Sequence, residues 1–213
     1  GTCIAGGALI AGRHHLSAPA VNRWLRYGLA GVVVTGELIP LGVALVQGTW
    51  SVQWGLPFQL CDVAAFVLVY ALITRAAWAS ELAYFWGLSG SLPALLTPDM
   101  DAATPLWGVL AFFITHAGVV LGAITVPAVC GWRPRRHAVW RVWFMTNVYA
   151  ATVSLINLGL NTNYGYLCAK PQAATPFDYL GPWPWYIVTL ECLALGMFAL
   201  AMIPFRNVAH DRA

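Results

Sequence analysis

A thiol and a carboxylate, Cys61 and Asp62, stand side by side at the lip of an apolar run from Val63 to Thr74. A thiolate attacks an acyl carbonyl when a histidine acts as base and then as acid. His116 alone among the histidines lies within an apolar run; His14, His15, His137 and His210 keep company with basic loop residues. Two further carboxylates, Glu37 and Glu191, interrupt other apolar runs. Ionisable groups at such places are costly and by default line a bundle interior or a wet cavity. The residues therefore offer Cys61 as nucleophile and His116 as base, with Glu37, Asp62, Asn147, Asn157 and Glu191 as supporting polar groups. Three alternatives use the same residues: hydrogen-bonded glue between helices, a proton-coupled small-molecule carrier, and a non-catalytic scaffold or lipid-binding protein.

The elements that must position these groups are membrane helices. Of the 213 residues, 60% are hydrophobic and 9% charged, whereas soluble chains carry about 25% charged residues. Apolar runs span Tyr27–Val46, Pro57–Thr74, Leu82–Leu96, Leu106–Cys130, Ala138–Leu160 and Trp183–Ile203, and 1–12 reads as the tail of another helix. Most approach the roughly 20 residues that cross a bilayer. Continuous runs exclude the alternating strands of a barrel. The expectation is an all-α, polytopic bundle of about seven transmembrane helices, the first one truncated, forming a single domain over 1–213. No cleavable signal peptide is expected.

Alternating helices would collect Arg13, Arg23, Arg26, Arg75, Arg133, Arg135, Arg136, Arg141, Arg206 and Arg212 on one side. Lys170, Asp99, Asp101 and Asp178 fall on the other. The excess of basic residues marks the cytoplasmic side. The N-terminus is then outside, the C-terminus inside, and the location a multi-pass cell membrane. The net charge of +3 is a topology signal rather than a nucleic-acid footprint.

Counting 1.5 Å per residue from the outer helix ends places Glu37, His116 and Glu191 about 14, 15 and 12 Å deep. Cys61, Asp62 and Asn157 come out at roughly 5 to 8 Å, leaving Cys61 and His116 about 9 Å apart along the membrane normal. Asn147, Ser154, Asn157 and Asn161 share one helical face. Gly118 and Gly122 form a small-residue pair that predicts close helix packing, as do Gly87 and Ser91. Cys3 and Cys192 read as small hydrophobes. Cys130 has no visible partner. Cys61 and Cys168 would share the oxidising side, so a disulfide is the plain alternative to a catalytic thiol. No cofactor and no metal site is expected, and the expected partners are membrane lipids.

Five blocks, "LPFQLCD" (Leu56–Asp62), "ELAYFWGLSGSLPALLTPDM" (Glu81–Met100), "FFITHAG" (Phe112–Gly118), "NYGYLCAKP" (Asn163–Pro171) and "LGPWPWY" (Leu180–Tyr186), resemble those of the bacterial YwaF integral membrane proteins, relatives of transmembrane protein 164. The resemblance implies a polytopic bundle. Its eukaryotic branch implies lipid acyl transfer that depends on a cysteine and a histidine, which correspond to Cys61 and His116. Gln59 stands where the first block commonly has a histidine, and Thr115-His116-Ala117-Gly118 replaces a serine-containing form. On this reading the outer loop, with Asn161, Asn163, Tyr164, Lys170, Trp183 and Trp185, receives the lipid headgroup.

Overall fold

The structure is a computed structural model that describes residue 2 and residues 19–100, 104–171 and 175–206. The expected helical segment 1–12 with Cys3 lies outside the described residues, as do Arg13, His14, His15, Asp101, His210 and Arg212. The described residues are helical, with no strand among them. They form α1 (Pro19–Gln47), α2 (Leu60–Thr74), α3 (Ala77–Trp86), α4 (Leu92–Leu96), α5 (Leu106–Ala128), α6 (Ala138–Leu160) and α7 (Trp185–Ala201). A π turn, Gly87–Ser91, joins α3 to α4, so that stretch runs as one rod and the described residues make six rods. Three helices, Pro19–Gln47, Leu106–Ala128 and Trp185–Phe205, are long and apolar enough to cross a membrane.

Local chemistry sets the boundaries. Asp62 accepts the Gln59 backbone N–H at 3.1 Å and closes the first turn of α2, the capping role its position next to Cys61 suggests. Arg75 ends α2 in the left-handed region, φ 58, with its N–H on the Ala71 carbonyl. Asn161 ends α6 the same way at φ 53, a conformation asparagine tolerates better than most residues.

Two expected starts are wrong. α1 begins at Pro19, so Arg23 and Arg26 lie inside a helix rather than in a loop. Arg26 is buried and donates to the Leu72 and Ile73 carbonyls at 2.6 and 2.9 Å, satisfying acceptors that the end of α2 leaves without partners. α3 begins at Ala77, which carries Glu81 into the helix and into the interior, at 2% exposure.

α3 is the hub. Every residue from Ala79 to Trp86 is buried. One of its sides joins a core with Val33, Leu68, Leu72, Val119 and Val126 of α1, α2 and α5. Its other side joins Val142, Phe198 and Phe205, with Phe85 edge-on to Phe198 at 5.6 Å. Outside this core large apolar side chains stay uncovered, among them Val46, Leu158 and Leu200. That is the surface a lipid solvent tolerates and water does not.

Close approaches at glycine set the helix register. A Cβ on Gly36 would fall 2.2 Å from the Thr115 hydroxyl, and one on Gly118 would fall 2.8 Å from a Val33 methyl. Asn22 adds a hydrogen bond to the Val129 carbonyl at 2.8 Å. Each step along α1 among these three contacts is matched by an equal step back along α5, so the pair is antiparallel and in one register. Gly122 receives Leu68 of α2 in the same manner, and Gly87 receives Ala123 of α5. The Gly118 and Gly122 pair thus does what its spacing predicts, and of the Gly87 and Ser91 pair Gly87 makes the close contact.

Candidate functional site

The register brings Cys61 and His116 to one level. Seven residues of α2 separate Cys61 from Leu68, about 10 Å of rise, and six residues of α5 separate His116 from Gly122, about 9 Å. Because Leu68 and Gly122 touch, the two side chains start within about one helical turn of the same height. The expected 9 Å offset is therefore overturned. It assumed that both helices begin at the same depth. Instead α2 begins late, at Leu60, beneath a tucked loop held by Tyr164, which donates to the Val52 carbonyl at 2.6 Å and accepts from Leu56 N–H at 2.9 Å.

Glu37 joins this level. It follows Gly36, which is packed on Thr115. Glu37 and Asp62 both lie close enough to Cys61 for a charge on either to act on its thiol. The Cys61 sulfur contacts an Asp62 carboxylate oxygen at 3.8 Å. Cys61 and Cys168 are both free thiols, Cys61 half-buried and Cys168 exposed.

His116 is oriented by its own helix. Its Nδ1 lies 2.9 Å from the Phe112 carbonyl, and the Phe112 ring stacks on the imidazole at 4.0 Å. A carbonyl only accepts, so Nδ1 carries the proton and Nε2 is left as the basic nitrogen. No hydrogen bond joins Cys61 to His116 among the described residues. His116 and Ala123 recur two turns apart on one face of α5, and Ala123 packs on Gly87, so His116 lies on the face of α5 that meets the rod of α3 and α4. The start of α2 abuts the same turn, with Leu60 3.9 Å from a Cβ position on Gly90. Ser89 and Ser91 of that turn have buried hydroxyl oxygens with no hydrogen-bond partner. π turns recur at functional sites, where they rotate side chains out of the regular helical frame.

The polar residues of the loop between α6 and α7 and its flanks fall into two groups. Asn157, 2% exposed, donates to the Tyr164 carbonyl at 2.9 Å and accepts from Tyr164 N–H and the Thr162 hydroxyl, both at 2.8 Å. Asn163 accepts from Cys168 and Ala169 N–H at 2.9 and 3.0 Å. Those side chains hold the loop's own backbone. Lys170 lies over the Tyr186 ring at 5.8 Å and reaches the Asp178 carbonyl at 3.4 Å. Trp183 donates to the Leu167 carbonyl at 3.1 Å, while Trp185 and Asn161 are exposed. Glu191 is not gathered with Cys61. It accepts a hydrogen bond from Asn147 at 3.0 Å, across α6 and α7.

Further side chains near Cys61 take structural roles that single positions do not announce. Gln59 accepts Gly165 N–H at 2.8 Å, Tyr149 donates to the Phe58 carbonyl at 2.8 Å, and Tyr166 donates to Asp99 at 2.6 Å. Burial first, and then the Asp99 carboxylate, push the Tyr166 phenol well above its usual range. It stays a neutral donor. Gln59, Asp99 and Tyr166 all lie inside the blocks quoted above, which was the available signal.

These blocks find their counterpart in a family comparison: the model of the TMEM164 family matches residues 2–202. The chain belongs to the TMEM164 family. It is a membrane protein of that family, built on apolar helices. It matches no curated protein and no solved structure. Within this TMEM164-family chain the match takes in every candidate site residue named above.

Proposed function

We propose that the chain is a lipid acyltransferase in which Cys61 carries the acyl group and His116 moves the proton. The observation that carries the reading is the shared level of Cys61, Glu37 and His116, created by the Leu68–Gly122 and Gly36–Thr115 contacts. The cysteine-and-histidine dependence expected from the family resemblance gives it a chemical form.

In the first half-reaction His116 Nε2 takes the proton of the Cys61 thiol, and the thiolate attacks the ester carbonyl of a phospholipid. The C–S bond forms, the ester C–O bond breaks, and the leaving lysolipid oxygen takes the proton held at His116 Nε2. In the second, the hydroxyl of an acceptor lipid returns a proton to Nε2 and attacks the thioester, releasing the thiolate. Water as acceptor would make the same site a lipase. Ser89 and Ser91 supply hydroxyl donors beside the start of α2, suited to an oxygen that gains negative charge as the carbonyl is attacked. The setting of this reading is a seven-span plasma-membrane protein with its arginine-rich ends in the cytoplasm, so that Cys61 meets the outer leaflet.

Thioester trapping tests it. Cells expressing wild type, Cys61→Ala or His116→Ala are fed an alkyne fatty acid, and hydroxylamine-sensitive label on the purified protein is read. Label on wild type that is absent from Cys61→Ala is expected, together with altered occupancy in His116→Ala. No hydroxylamine-sensitive label on any of the three would sink acyl transfer and leave a carrier as the working class.

A further inference from the structure

A second site lies at the opposite end of α2 from Cys61, about 20 Å away along the helix. There α3 and α6 diverge to leave a groove of about 440 Å³. Its foundation is Glu81. This carboxylate accepts from Arg141 Nε and Nη2 at 3.0 and 2.8 Å, and from Arg135 Nη2 at 3.0 Å. Arg141 spends its remaining terminal nitrogen on the Arg136 carbonyl. Arg135 is held through one nitrogen of its guanidinium, and its side chain stays 50% exposed. Two cations on one carboxylate leave a surplus positive charge, presented by Arg135 beside the exposed His137.

The groove changes character with depth. Trp78 and Trp140, 51% and 60% exposed, flank its mouth. One turn further along the same helix faces come Leu82 and Phe144, which together with Met145 line an almost wholly apolar slot. Cation and indoles at one end and hydrocarbon beyond them match a glycerophospholipid in a bilayer: headgroup, then chain. Basic pockets between membrane helices at an arginine-rich end hold anionic headgroups in this way. A free phosphate would leave the slot unused. An apolar partner helix would face the surplus charge of Arg135.

We propose that the groove between α3 and α6 binds an anionic glycerophospholipid as a resident ligand, separate from any lipid that reacts at Cys61. Its phosphate pairs with Arg135, and one acyl chain lies along Leu82 and Phe144. The Glu81 clamp preorganises the site, because Arg135 is fixed before the lipid arrives.

The test uses the full chain purified in detergent, with dioleoylphosphatidylglycerol, dioleoylphosphatidylcholine or glycerol 3-phosphate added and bound molecules counted by native mass spectrometry. Wild type is expected to retain the phosphatidylglycerol in preference to the phosphatidylcholine. Arg135→Gln, which leaves Arg141 on Glu81 and so keeps the fold, is expected to lower that retention by about fivefold. Phe144→Ala lowers retention of both lipids, and Arg136→Gln, whose side chain is outside the groove, retains the wild-type pattern. Equal retention of the two lipids by wild type overturns the proposal. So does phosphatidylglycerol retention unchanged in both Arg135→Gln and Phe144→Ala, or glycerol 3-phosphate binding as well as the intact lipid.

Discussion

Leu68 of α2 rests on Gly122 of α5 so closely that a Cβ on residue 122 would fall 2.3 Å from a Leu68 methyl carbon. This contact sets how far α2 slides along α5, and therefore the height of Cys61 relative to His116. Gly122→Ala is expected to cost about 1–3 kcal/mol by overpacking and to reduce acyl labelling at Cys61, although residue 122 is remote from the thiol. Leu68→Ala in the same chain removes the obstructing methyls and is expected to restore the labelling, while stability stays below wild type because a fully buried position is emptied. Thermal unfolding in detergent, read beside the label, checks the pair. Normal labelling in Gly122→Ala would show that the register does not govern the site.

Asp62 holds the first turn of α2 through its acceptor oxygen. Asp62→Asn keeps an acceptor in place and is expected to unfold near the wild-type temperature, whereas Asp62→Ala loses about 1 kcal/mol. Equal losses in the two would assign the effect to the charge rather than to the cap.

Glu81 and Arg141 are not symmetrical partners. The carboxylate side chain is 3% exposed and the Arg141 side chain 38% exposed. Removing Arg141 as Arg141→Met strands much of a buried anion and is expected to cost about 3–5 kcal/mol. Glu81→Gln frees two arginines that can reach water, so its cost is smaller, about 1–3 kcal/mol. Denaturant unfolding of the two variants under one set of conditions ranks them, and a larger loss in Glu81→Gln would reverse the argument.

Ser91 has a buried hydroxyl without a partner, and Ser91→Ala removes an unsatisfied group at little change in volume. The expected gain is about 1 kcal/mol of stability, accompanied by slower acyl transfer from lipid to Cys61. A variant both less stable and fully active would mean that the hydroxyl serves the fold and not the site.

Much of the scaffold is legible in the sequence. The start of α5 at Leu106 and both ends of α6 follow from where the apolar runs begin and stop. Gly118 and Gly122 announce close packing because small residues four apart have few other uses on a membrane helix. The failures share a physical cause. Arg26 looks like a loop residue because charge ordinarily marks a boundary. Its aliphatic stem instead runs along the helix surface and its guanidinium reaches carbonyls on another helix. Glu81 carries no local signal, because the arginines that accommodate it lie more than fifty positions away. The height of Cys61 is not legible locally because a helix start is not a membrane surface: the tucked loop before α2 depends on Tyr164, far along the chain. The clustering of Gln59, Tyr149 and Tyr166 around Cys61 is a tertiary fact of the same kind.

The π turn between α3 and α4 closes with Leu92 N–H on the Gly87 carbonyl, five residues back rather than four. It therefore holds one residue more than a regular helix would use over that length. Shortening it by one residue would heal the hydrogen-bond ladder, yet it would rotate everything beyond by about 100° and draw it inward by about 1.5 Å. Asp99, just beyond the far end of that rod, would swing away from Tyr166. The extra residue thus acts as an angular spacer, and the turn should tolerate substitutions far better than it tolerates any change in its length.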